Sequence, residues 1–235
     1  MAHRPPSDPD GRPRDRLVDT IRGAIPPLHP AGRPFVTTGL VLAGLGFRTP
    51  WLRRLGLGAA LASAVFFRHP ARVTPIDPGA VLAAADGQVC LIDEAVPPPE
   101  LDWTDAPLLR VSTFLTIFDV HVQRAPVAGR VVRRVHRPGL FLTADRAEAS
   151  QDNERNSLLL RTEAGVEVAV VQIAGLVARR IVCQVDEGAD VTAGQTVGLI
   201  RFGSRVDLYL PRDARPTVLV GQRAVAGETV MARLP

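Results

Sequence analysis

Apolar and polar positions change texture three times along the chain. Residues 1–33 mix Pro, Arg and Asp, as in PPSDPDGRPRDR, and hold too few apolar positions to bury a core. They predict a disordered tail, with at most a weak amphipathic turn in RLVDTIRGAI. A secretory signal is not expected, because the charged lead is long and no cleavage site follows the apolar run. Two uncharged runs come next, FVTTGLVLAGLGF (35–47) and LGLGAALASAVFF (55–67), each of 13 residues. From Phe66 onward, short runs rich in Val, Ile and Leu alternate with Gly, Pro and Asp-Gly turns, which predicts β-strands.

The two apolar runs predict a helical hairpin over 34–67. A 13-residue helix is about 20 Å long and the hydrocarbon core of a bilayer about 30 Å thick, so neither run spans comfortably. The connector RTPWLRR carries Trp51 and three arginines, Arg48, Arg53 and Arg54, while Arg33 and Arg68 flank the pair. Two crossings would carry the connector's arginines to the far side, against the positive-inside tendency. The favoured expectation is a hairpin dipping into one leaflet with its arginines among headgroups. A hairpin buried in a soluble protein and two short spanning helices are the alternatives.

Three of the β segments, APVAGRVVRRV, VDEGADVTAGQTVGLI and AVAGETVMARL, resemble the turns of biotinyl and lipoyl carrier domains. The expected fold is therefore mainly β (α+β), with a barrel-sandwich, biotinyl-carrier-like core behind the N-terminal apolar helical hairpin. Those carriers present a modified Lys, and this chain has none, so the likeness concerns architecture alone.

All 28 basic residues are Arg. Without Lys, neither a pyridoxal phosphate Schiff base nor a Walker-type phosphate loop is available in its usual form. Net charge +4 suggests an anionic partner, and without a zinc-finger or RNP-type motif a membrane surface is expected rather than nucleic acid. The two cysteines, Cys90 and Cys183, offer neither a disulfide framework nor metal-ligand spacing, and read as small buried residues in a reducing compartment.

Candidate chemistry lies in three places. His121 falls in DVHVQ, where alternation puts Val120 and Val122 on one strand face and Asp119, His121 and Gln123 on the other. Asp86 sits in AAADGQV, where Asp-Gly is also a common turn pair. Ser204 follows Gly203 at the head of FGSRVDLYL. Taken alone, His121 and Asp86 are more readily explained as structural and Ser204 says nothing, and a Ser-His-Asp set without a GxSxG elbow is weak support for a hydrolase.

Taken together and in order, FFRHPARVTP (66–75), AAADGQV (83–89), FLTIFDVHVQRAPVAG (114–129), NERNS (153–157) and FGSRVDLYLP (202–211) resemble the phosphatidylserine decarboxylase family, in its short, actinobacterial-like branch. The resemblance covers about residues 60–235 and the hairpin before them. It implies a pyruvoyl-dependent proenzyme that cleaves itself between Gly203 and Ser204, giving a large chain, 1–203, and a small chain, 204–235, from a catalytic domain at 68–235. Ser204 falls on the Gly-Ser cleavage site and is the implied pyruvoyl precursor, which takes the substrate amine as a Schiff base. His121 falls on the first His of a YHRxH-like motif and is the implied general base and acid. Asp86 falls on the Asp of an ADG motif and is the implied orienting group. The chain departs from the family at Val120, where Tyr is usual, at Arg124, where a second His is common, and at His69, where Asp is usual.

The implied activity is decarboxylation of phosphatidylserine to phosphatidylethanolamine and CO2 in phospholipid biosynthesis, with a covalent pyruvoyl group, no metal and no pyridoxal phosphate. The implied location is the cytoplasmic face of the cell membrane, peripheral or monotopic. The cleaved chains stay together, and a homodimer is an option. A pyruvoyl decarboxylase of another amine, a membrane-tethered Ser-His-Asp hydrolase and a noncatalytic carrier-like β domain are the competing readings.

Overall fold

The computed structural model describes residues 26–139, 153–175, 180–201 and 204–235. Most of the predicted tail, and Phe202 and Gly203, lie outside the described residues. Contacts divide the chain into Met1–Val73 and Thr74–Pro235.

In the first unit a 3-10 turn at Pro30–Gly32 leads into α1 (Arg33–Leu45), and α2 (Pro50–Phe66) follows. The connector is shorter than RTPWLRR, because α2 begins at Pro50, whose fixed φ suits the first helical position. At 17 residues α2 is about 26 Å long. Among the described residues no helix is long and apolar enough to cross a membrane.

The hairpin packs on its smallest residues. A Cβ on Gly39 would lie 2.6 Å from the Ala60 nitrogen, and one on Gly56 would strike the Ala43 nitrogen. Close backbone approach through Gly and Ala leaves the large side chains outward, with Val41, Leu45, Phe47, Trp51, Leu61 and Val65 all exposed. This inverts the usual polarity of a helix pair in water.

The second unit is β, in agreement with the expected fold class. Its strands are β1 (Ala80–Leu82), β2 (Gly87–Ala95), β3 (Leu108–Leu115), β4 (Val122–Arg124), β5 (Gly129–Arg137), β6 (Arg155–Arg161) and β7 (Glu167–Ala174). There follow β8 (Ile181–Cys183), β9 (Asp190–Val191), β10 (Thr196–Ile200), β11 (Ser204–Leu210), β12 (Arg215–Pro216), β13 (Arg223–Ala224) and β14 (Val230–Arg233). A large antiparallel sheet has the order β13-β2-β3-β11-β7-β6-β5-β9. Two three-stranded sheets, β4-β10-β8 and β1-β14-β12, complete the unit.

One core joins all three sheets. Leu115, Leu158, Val170 and Leu208 come from the large sheet, Val197 and Ile200 from β10, Val81 from β1 and Met231 from β14. Each such side chain, fully buried, contributes about 1.5–3 kcal/mol. Leu159, Val171, Ile173 and Tyr209 face the other way and pack with Leu101. Cys90 and Cys183 are free and half-buried, not fully buried as expected, with Cys90 at a register shift between Val89 and Leu91.

Two features of this topology position the site. β11 lies between β3 and β7 in the interior of the large sheet. The chain changes sheets between Ile200, the last residue of β10, and Ser204, the first of β11.

Candidate active site

Ser204 pairs with Leu115 of β3 and Ala174 of β7. Alternation along β11 puts it on the face of Val206 and Leu208, toward the core between the sheets. Ser204 is 0% exposed, and among the described residues its Oγ has no hydrogen-bond partner. Buried hydroxyls are nearly always paired, so an orphan of this kind calls for an explanation. Gly203, the other half of the expected cleavage bond, lies outside the described residues.

His121 is buried and stands immediately before β4, not within a strand as the alternation suggested. The segment is irregular because a turn closes just ahead of it, with Asp119 N–H donating to the Thr116 carbonyl at 3.0 Å. Asp119 through Gln123 are all buried, so the two expected faces are not sorted by exposure. His121 Nδ1 lies 2.9 Å from the Asp119 carbonyl oxygen. A carbonyl only accepts, so this bond assigns the hydrogen to Nδ1 and leaves Nε2 as the basic nitrogen of the neutral ring. The His121 carbonyl in turn accepts from Ile200 N–H at 3.2 Å and from Gln123 Nε2 at 2.9 Å.

Asp86 is half-buried at the entry to β2, and its Oδ1 accepts from Ala226 N–H at 2.8 Å. Two relationships bring it toward the others. The Arg124 N–H donates to the Ala84 carbonyl at 2.9 Å, which ties the ADG segment to the strand that follows His121. Gln88 pairs with Phe114, which pairs with Arg205, so the next row across the sheet runs from Gly87 to Ser204. Two strand spacings separate these ends by about 10 Å. Glycine is required at 87, because a Cβ there would strike the Phe114 carbonyl oxygen.

The reading of the sequence missed Asp119 as a site residue. Its carboxylate accepts from Thr116 N–H at 2.8 Å, from Thr116 Oγ1 at 2.7 Å and from Arg223. Burial pushes the Asp119 carboxyl up, but the Thr116 and Arg223 bonds outweigh it and hold the pKa below its ordinary value. The available signal was the Thr-x-x-Asp spacing of 116–119, a local side-chain-to-backbone motif.

The NERNS motif also touches this region. Asn153 Nδ2 donates to the Ala174 carbonyl at 2.8 Å, at the point where β7 pairs with Ser204. Arg155 makes two bonds to Glu100, at 2.5 and 2.8 Å, and Ser157 Oγ a third at 3.0 Å. Arg124, where the family often has a second His, donates from Nη1 to the Gly194 carbonyl at 2.8 Å. The rings of His29 and His69 pack at 5.5 Å in the N-terminal unit, and His136 lies 3.8 Å from Glu154. Among the described residues no group of three His, Cys, Asp or Glu stands together as a metal site. A shallow hollow bounded by Leu101, Trp103, Val132 and Leu159 contains none of the candidate residues.

Comparison with known proteins bears on the whole chain. The profile of the phosphatidylserine decarboxylase family matches residues 60–232. A phosphatidylserine decarboxylase proenzyme of Mycobacterium avium is 58% identical, with both chains covered completely. Proenzymes of the same name from Mycobacterium ulcerans and Mycobacterium tuberculosis are each 59% identical; the alignments cover 93% of this chain and 91% of the first relative, and 99% of both chains for the second.

Proposed function

This chain belongs to the phosphatidylserine decarboxylase family and is a decarboxylase, and on that premise we propose that it converts phosphatidylserine to phosphatidylethanolamine and CO2 with a pyruvoyl group made from its own Ser204. The observation that carries this reading is the Ser204 hydroxyl, wholly buried on the family's Gly-Ser motif and, among the described residues, without a hydrogen-bond partner. An unpaired buried hydroxyl costs about 1–3 kcal/mol; Ser112 Oγ shares that condition, and what sets Ser204 apart is its place on the Gly-Ser motif where the chain changes sheets. A serine that is to be consumed fits such a position.

In this reading His121 Nε2 takes the proton from Ser204 Oγ, and Oγ attacks the carbonyl carbon of Gly203. The Gly203–Ser204 C–N bond breaks, the nitrogen takes up a proton, and an ester joins the two residues. Loss of the Ser204 Cα proton then breaks the Cβ–Oγ bond. Gly203 leaves as a carboxylate terminus and residue 204 as dehydroalanine. Tautomerisation to the imine, addition of water and loss of ammonia leave a keto group at the new N-terminus. The Asp119 carbonyl holds the ring through Nδ1, and the negative charge of Asp86 stabilises the imidazolium that forms, with Ala226 N–H fixing one carboxylate oxygen. A positioned acid–base group contributes about 10²–10⁴-fold.

The pyruvoyl group supplies an electron sink for the pair left when the Cα–carboxylate bond breaks, a task for which this chain has no Lys to hold pyridoxal phosphate. His121, once protonated, is positioned to return a proton to the substrate carbon. Buried Leu115, Ala174 and Ile200 belong to the neighbouring core and exclude water. The small chain, 204–235, stays bound because its strands pair with β2, β3, β7 and β1 of the large one.

The hairpin belongs to the same proposal, as a monotopic anchor on the cytoplasmic face. Its support is the inverted polarity of α1 and α2, large apolar side chains outward and Gly and Ala inward. Arg48, Arg53 and Arg54 are exposed beside it, and a basic residue near an anionic surface contributes about 1 kcal/mol.

Denaturing mass spectrometry of the purified protein tests the reading. The expected result is two masses, the smaller for residues 204–235 with a carbonyl-bearing, Edman-blocked terminus. A chain that stays wholly intact after native incubation would overturn it.

A further inference from the structure

A chain of three buried side-chain amides runs from the NERNS motif to His121. Asn156 Nδ2 donates to Gln172 Oε1 at 2.8 Å, Gln172 Nε2 to Gln123 Oε1 at 2.9 Å, and Gln123 Nε2 to the His121 carbonyl at 2.9 Å. All three residues are at most 1% exposed. Asn156 and Gln172 face each other across β6 and β7, whereas Gln123 lies on β4 of a small sheet. The amides therefore tie the sheet that carries Ser204 to the sheet that follows His121.

Hydrophobic side chains would hold two sheets together at lower desolvation cost, since every buried amide must find partners. Amides add direction. Each NH2 points toward His121, and the last meets a carbonyl that already accepts from Ile200 N–H. Two donors fix the plane of that peptide group, and the ring is fixed again through Nδ1 and the Asp119 carbonyl. The same strand region also steadies the other reactant. Asn153 Nδ2 and Glu154 C=O hold the two backbone groups of Ala174, the residue that pairs with Ser204.

We infer that Asn156, Gln172 and Gln123 are positioning residues for self-cleavage, a brace that sets His121 against Ser204 from the common reference of β6. The inference rests on the self-cleavage reading above. It gives the NERNS motif a task that its sequence does not announce. A displacement of about 1 Å in a reacting pair can cost about 10²-fold in rate, so a brace of this length matters even though Asn156 and Gln172 touch neither reacting group.

The test measures self-cleavage of freshly made chain in Gln172→Met, Gln123→Met and Asn156→Ala variants. Each is expected to cleave about 10- to 100-fold more slowly. The Gln172→Met/Gln123→Met double variant should be no slower than its slower parent, because both break one chain. Leu158→Ala, a core change beside Asn156, serves as the control for lost stability. At a comparable drop in Tm it should cleave at the normal rate. A second readout needs no cleavage. In a Ser204→Ala background, Gln172→Met should speed hydrogen exchange at Ile200 N–H and shift the ring nitrogen resonances of His121. Amide variants that cleave normally, a Leu158→Ala loss of equal size, or unchanged exchange and ring resonances would each overturn the brace. If the unsubstituted chain never cleaves, the self-cleavage reading falls on its own, and the exchange and resonance data still decide whether the amides hold His121.

Discussion

Ile200 N–H donates to the carbonyl of His121 at 3.2 Å, so the residue that ends β10 holds the candidate base four positions ahead of Ser204. The bond links the loop before β4 to the stretch in which the chain changes sheets. It predicts that His121 acts on this crossing and on little else in the fold. His121→Ala should slow the appearance of the small chain by about 10²–10⁴-fold, followed by mass spectrometry over time. Ser204→Ala should remain one chain indefinitely. Cleavage of His121→Ala at the normal rate would remove His121 from the proposed chemistry.

Asp119 predicts a pH dependence of stability. Its pKa is held below the ordinary value by Thr116 and Arg223, which overcome the opposing effect of burial. A carboxyl with a depressed folded pKa contributes stability above its unfolded pKa, about 3.9, and loses it as pH falls through the folded value. Urea unfolding of the Ser204→Ala chain should therefore show stability falling below about pH 4. In Asp119→Asn that part of the fall should be absent, and the variant should be less stable than its parent at pH 7. Parallel pH profiles for the two proteins would show that Asp119 carries none of the dependence.

The motif order brought Ser204, His121 and Asp86 forward as candidates, because each lies in a short stretch whose letters carry the resemblance. Strand alternation does not hold at His121, which lies outside β4. The Thr116–Asp119 turn makes the segment irregular, and burial on all sides removes the contrast that alternation relies on. Gly87 was readable only as a turn residue, and its close approach to the Phe114 carbonyl needed the pairing of β2 with β3. The amide brace was not legible at all. Gln123 and Gln172 lie 49 positions apart, and nothing in either neighbourhood marks them as partners. The helix boundaries moved for a local reason, since Pro50 starts α2 inside what read as a connector.

Arg205 and Asp207 predict a large stability effect next to the site. Both side chains are 0% exposed and bonded twice, at 2.9 and 3.1 Å, on the face of β11 opposite Ser204. Removing one partner leaves a buried charge, which typically costs about 3–5 kcal/mol. Asp207→Leu in the Ser204→Ala chain should lose about that much in denaturant unfolding, while Arg205→Met/Asp207→Leu should recover most of it. A loss below about 1 kcal/mol in the single variant would place the pair with ordinary surface ion pairs.

The hairpin predicts membrane binding that depends on two separable features. The first is its outward apolar surface. Val41→Asp/Leu61→Asp should cut co-sedimentation with anionic vesicles severely, because each change puts a charge on an exposed apolar position. The second is the Gly-Ala contact between the helices. Gly56→Val puts a side chain against the Ala43 backbone nitrogen, so it should separate α1 from α2 and weaken binding without adding charge. Added salt should weaken the contribution of Arg48, Arg53 and Arg54 and leave the apolar part in place. Both variants should still release the small chain at the normal rate, since no residue of the proposed cleavage chemistry lies in the hairpin. Full vesicle binding by Val41→Asp/Leu61→Asp would show that the outward face of the helices is not what meets the lipid.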